Sequence, residues 1–206
     1  MDRIKDIDEL CKPDPFNQAF IVYNLETDES RPLEIKDLHR RVSAIGLKEQ
    51  VPDDVRRYFN ALRNLMLYGW FHHELFTLGG FLAFTAIEMA LRMRLGYEAY
   101  ERSPGMKKLL EEAISKGLIS DDEFSVVKQR NEEDEALLAK GWQGPRWPTP
   151  SYCSILSESL PNLRNSFMHP AQYTDMGSAY ALATLRTAAE LINQLFCNEM
   201  KNRPAG

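Results

Sequence analysis

The stretch LRNSFMHP at positions 163–170 places a guanidinium, an amide and an imidazole close together. If it is helical, Asn165 and His169 share a face at i,i+4 and Arg164 lies one position from Asn165. An arginine keeps its proton at any physiological pH, and a histidine titrates near neutrality. Beside a phosphodiester, Arg164 suits stabilisation of charge on a pentacoordinate phosphorus, and His169 suits proton transfer. The plainer reading is an Arg and a His satisfied by neighbours at a helix end before Pro170.

Other residues invite a choice between chemistry and structure. Glu88 lies in a strongly apolar segment, where it either faces a cleft and holds Arg164 or His169, or forms an i,i+4 pair with Arg92 in the favourable order. Arg56, Arg57, Arg63, Arg92, Arg94, Lys107 and Lys108 read equally as a phosphate-binding surface and as the charged outer faces of a helical protein. Within that set Arg92, Arg94, Lys107 and Lys108 are the candidate phosphate contacts. His72 and His73 are adjacent, so on a helix they diverge by about 100°, and no second ligand pattern accompanies them; no metal site is expected. His39 beside Arg40 and Arg41 reads as a solvated face. Trp142 and Trp147 lie in a proline-rich loop, where lids on a core edge are the commoner role and base stacking the alternative. The chain has no P-loop, no GxSxG elbow and no HExxH.

These residues must be held by a chain of 206 positions, 44% hydrophobic and 27% charged, the balance of a globular protein with ample length for a core. The formal charge of -5 argues against general coating of nucleic acid and leaves room only for a local basic patch. Cys11, Cys153 and Cys197 are odd in number and far apart, which suggests neither a disulfide framework nor a zinc ribbon and fits a reducing, cytoplasmic setting. The N-terminal residues lack a signal-peptide pattern, and the apolar stretch 70–91 is interrupted by polar residues, so it reads as a buried helix and no membrane association is expected.

Two regions emerge. Residues 1–51 form an N-terminal extension, with a β-prone run at 19–25, a polar turn, and a short helix within 33–47 that Asp37 would cap and Gly46 would follow. From Pro52 the periodicity is helical. Val55, Phe59, Leu62, Leu65 and Met66 make one stripe; after an interruption at Gly79-Gly80, Phe81, Phe84, Ile87, Leu91 and Leu95 make the next, ended by Gly96. Leu109, Leu110, Ala113, Ile114 and Leu118 line a further helix. Ser120 to Glu123 reads as a capping box for another that reaches Leu138. After the loop at 141–150, a helix over 151–169 must kink or restart at Pro161, and a last one spans 178–200.

In this helical setting the chain resembles the HEPN superfamily of all-α domains. Arg164, Asn165 and His169 reproduce the family's Arg-polar-x3-His signature. FLAFTAIEMALRMRLG at 81–96 is similar to the family's earlier core helix with an internal glutamate and a basic end, and GMKKLLEEAISKGLISDDEF at 105–124 to the helix pair that follows. The likeness covers residues 52–200, within a 52–206 helical domain. It implies an all-α helical bundle, commonly homodimeric, and a metal-independent endoribonuclease, of the kind used in toxin–antitoxin or antiphage defence, with His169 as general acid or base, Arg164 on the phosphorane and Asn165 orienting either. Two subunits would each supply one His to a shared site. The chemistry needs a 2′-hydroxyl, so RNA is the expected partner beside a possible antitoxin protein, and no cofactor is needed. The alternative is a catalytically silent HEPN-like dimerisation, nucleotide- or RNA-binding module.

Overall fold

The computed structural model describes residues 4–97, 104–142, 150–168 and 177–197. It is a helical bundle with a small antiparallel ribbon near the N-terminus. In order come α1 (Pro15–Gln18), β1 (Ile21–Asn24), β2 (Glu29–Pro32), α2 (Ile35–Ser43), α3 (Asp53–Tyr68), α4 (Glu74–Leu95), α5 (Met106–Ser115), α6 (Ser125–Ala139), α7 (Tyr152–Met168) and α8 (Ser178–Cys197).

The ribbon pairs Ile21 with Pro32 and Asn24 with Glu29. The helix after it is bounded differently from the sequence expectation. Asp37 is not the N-cap of α2: it lies in the first turn, where its carboxylate accepts the Glu34 N–H at 3.1 Å and both guanidinium nitrogens of Arg31 at 2.7 Å. The carboxylate thus satisfies an orphan N–H of the helix start and ties β2 to α2. That paired guanidinium holds the Asp37 carboxyl far below the usual carboxylate range. The core does not stop at Pro52. Leu38, Val42, Ile45 and Val51 are buried in the same apolar cluster as the helices that follow.

α3 buries Val55, Phe59, Leu62 and Met66, at the spacing that puts one stripe inward. α4 is the central element: it packs on α8, α3, α5 and α7 and buries nine of its residues, including Phe84, Ile87 and Leu91. Among the described residues it is the one helix long and apolar enough to cross a membrane, and packing on four helices accounts for that apolarity. Gly79-Gly80 does not interrupt it. Both glycines are buried within the helix, because α3 crosses there: a Cβ at Gly79 would lie 2.9 Å from Met66 Cε. Gly96, at φ 82°, ends the helix, and Tyr97 N–H returns to Arg92 O at 2.9 Å.

No side-chain cap from Ser120 opens the next helix. Residues Asp121–Glu123 form a single 3₁₀ turn, and α6 begins only after the buried Phe124. Asp121 instead reaches across to the start of α7, accepting the N–H groups of Tyr152 at 2.9 Å and Cys153 at 2.8 Å and the Ser151 hydroxyl at 3.0 Å. Burial pushes the Cys153 thiol up to about 12, with the neighbouring Asp121 adding to the shift. α7 then runs through Pro161 as one helix, so neither a restart nor a second element occurs there.

Candidate functional site

Glu88 stands on α4 one turn before Arg92, and Arg164 stands on α7 one turn before Phe167. Phe167 packs against Phe81 and Phe84 with ring centroids 6.3 and 6.2 Å apart. Moving forward on α7 therefore moves backward on α4, and the two helices run antiparallel. This aromatic contact sets the register that brings Arg164 level with Glu88. The carboxylate bridges two guanidinium groups: Oε1 accepts from Arg92 Nη2 at 2.6 Å and Oε2 from Arg164 Nη2 at 3.3 Å. Glu88 is 13% exposed, and the two arginines are about one-third exposed. Both expectations for Glu88 are thus realised together, the helical pair with Arg92 and the reach to Arg164.

The triad carries two positive charges and one negative, so it keeps a net positive charge. A carboxylate this buried needs both partners to offset its desolvation. The group lines an open cleft of about 820 Å³. Its other walls include Phe81, Met89 and Tyr97, with Asp54 at α3. Tyr97 donates its hydroxyl to Glu112 at 3.0 Å; this bond raises the Tyr97 pKa, while Lys116 first and Tyr97 second lower that of Glu112. Chemically, the cleft offers cations held in place for an anion and an apolar wall for a flat or aliphatic body.

The other sequence candidates distribute unevenly. Asn165 is exposed, with Oδ1 3.3 Å from Arg164 Nη1. His169 lies outside the described residues, as does Trp147. Of the basic candidates, Arg92 alone lines the cleft. Arg94 turns to α8 and donates to Leu195 O at 2.6 Å, Lys107 pairs with Glu158 at 2.5 Å, and Lys108 is exposed on α5. Arg56 and Arg57 pair with Asp53 and Asp54 in the first turn of their own helix, and Arg63 reaches the Val42 and Ser43 carbonyls of α2. These are the contacts of helix ends and seams. Trp142 is exposed.

His72 and His73 lie just before α4 and not on a helix, and they have different surroundings. His72 stays half-exposed beside Glu74, with Nδ1 2.7 Å from its carboxylate. His73 is buried in a polar cluster that sequence reasoning missed. Asn17 donates to Gly69 O at 2.7 Å and Trp70 O at 3.0 Å, which leaves its Oδ1 to accept from His73 Nδ1 at 3.2 Å. Asp14 accepts the N–H of Phe16 at 2.9 Å and of His73 at 3.0 Å. Burial alone would raise the Asp14 pKa, but those N–H groups outweigh it and the net shift is downward. The missed signal was Asp14-Pro15, an N-cap followed by proline at the first helical position. No group of three or more metal-ligating side chains occurs among the described residues.

Comparison of the chain with family models, with curated proteins and with solved structures returned no match.

Proposed function

We propose that this protein is a metal-independent endoribonuclease acting through Arg164 and His169. The observation that supports the reading is the Arg164–Glu88–Arg92 bridge lining a cleft, with Arg164 five residues before His169 in the chain. In the reaction, a base removes the 2′-hydroxyl proton, the oxygen attacks the adjacent phosphorus, and an acid protonates the departing 5′-oxygen to leave a cyclic phosphate. Arg164 stabilises the charge that grows on the phosphorane, and Glu88 positions that guanidinium. His169 serves one of the two proton transfers. A second copy related by a two-fold axis supplies the other, so the working unit is a homodimer.

The test is RNA cleavage in the presence of chelator. Wild type is expected to cut RNA and leave the matching DNA intact, His169→Ala to be inactive, and Arg164→Ala to lose about 10²–10³-fold in rate. No cleavage of tRNA, rRNA or mRNA by the wild type would overturn the proposal. A second reading, a silent RNA- or nucleotide-binding dimerisation module, draws on one observation: Glu88 already engages Arg164 as an interhelical ion pair. That reading expects RNA retention without cleavage, insensitive to His169→Ala.

A further inference from the structure

The ribbon of β1 and β2 has an unusual outer face. Alternation places Ile21 and Tyr23 on one side, 70% and 51% exposed, with Leu25 just beyond at 89%. The opposite side holds half-buried Val22 and Arg31, the latter turned to Asp37. A ribbon with one solvated face ordinarily shows water its polar row, and this one shows its apolar row. Ile4, Ile7, Leu10, Phe16, Phe20 and Ile35 are exposed as well, so the chain before α3 carries many exposed apolar side chains.

The backbone adds a direction. Leu33 N–H donates to Phe20 O at 2.9 Å, which makes Phe20 and Leu33 a hydrogen-bonded pair. By the register, the pairs Val22 with Arg31 and Asn24 with Glu29 are bonded likewise, and the backbone groups of Ile21 and Tyr23 point away from the ladder. On the far edge the corresponding residues are Ser30 and Pro32, and proline has no N–H to offer. The β1 edge is therefore the one that can pair.

Charge selects the occupant. The N-terminal extension, residues 1–51, holds eleven Asp and Glu against eight Lys and Arg, a net of -3 within a chain of formal charge -5. Glu26, Asp28 and Glu29 crowd the tip of the ribbon. A second copy would bring the same negative charge to the contact, whereas a basic segment would be attracted.

We infer that the outer edge and apolar face of β1 are a docking site for an extended segment of another protein in which apolar and basic residues alternate, added as a third strand. Main-chain bonds to Ile21 and Tyr23 hold it, the apolar row covers the exposed side chains, and the basic residue beside Asn24 reaches the acidic tip at Glu29. This inference stands apart from the nuclease reading.

The test uses the full chain and a short fluorescent peptide of alternating valine and lysine, followed by anisotropy. Wild type is expected to bind it, more tightly at low salt. The same peptide methylated on alternate backbone nitrogens should bind several-fold to about tenfold more weakly, as should Tyr23→Pro, which removes an outward N–H, while Ser30→Pro on the far edge binds as wild type does. If Tyr23→Pro disturbs the ribbon by circular dichroism, Tyr23→Ser with Ile21→Ser reads the apolar face instead and should lose binding as well. Absence of binding, equal binding of the methylated peptide, or self-association of the chain that Tyr23→Pro abolishes would each overturn the inference.

Discussion

α4 and α6 are both uninterrupted helices, yet they are held in opposite ways. α4 buries nine residues among four neighbouring helices, and α6, with fifteen residues, buries only Val127. α6 carries Glu132, Glu133, Asp134 and Glu135 in succession, leaving few positions for an inward stripe. α4 places Gly79 where Met66 of α3 packs against it and buries large residues such as Phe76, Phe84, Ile87 and Leu91 elsewhere along its length. Local propensity makes either helix; packing alone makes one of them structural.

The sharpest way to break that contrast is Phe84→Ala in α4. The ring is fully buried, and its loss should cost about 3–5 kcal/mol in urea unfolding. A smaller overpacking effect is expected for Gly69→Ala at the α3–α4 junction, where a Cβ would lie 2.7 Å from the Phe76 ring; thermal unfolding should show a loss of about 1–3 kcal/mol.

Asp121→Ala, just before α6, should cost about 1 kcal/mol, in the range of a lost helix cap, and hydrogen exchange should quicken at Tyr152 and Cys153. The same carboxylate gives a pH signature. Burial would raise its pKa, but the Cys153 thiol, the Cys153 and Tyr152 N–H groups and the Ser151 hydroxyl together hold it below the usual value. A depressed carboxyl contributes stability above its unfolded pKa of about 3.9, and that contribution is lost as pH falls through the folded value. Stability should therefore drop more steeply with acid in wild type than in Asp121→Ala. The smallest effect is expected for Leu138→Ala in α6, which should stay within about 0.5 kcal/mol. A large loss there would mean that α6 is packed after all.

Much of the bundle could be read without coordinates because periodicity is local. The stripe of α3, the stop at Gly96 and the β-prone run each depend on residues a few positions apart. The errors arose where a local signal was answered from far away. Gly79-Gly80 looks like a break until Met66 of another helix fills the space beside it. Asp121 looks like part of a cap for its own helix and instead caps one about thirty residues on. His73 shows no partner in its own neighbourhood of sequence until Asn17, 56 positions earlier, meets it.

The candidate site divides along the same line. The pairing of Glu88 with Arg92 follows from four-residue spacing, and the proximity of Arg164 to Asn165 from adjacency, so both belong to the order of residues alone. The bond from Arg164 to Glu88 joins positions 76 apart. It exists because Phe167 packs on Phe81 and Phe84 and fixes the register of two antiparallel helices, a choice among side-chain contacts that no window of sequence contains.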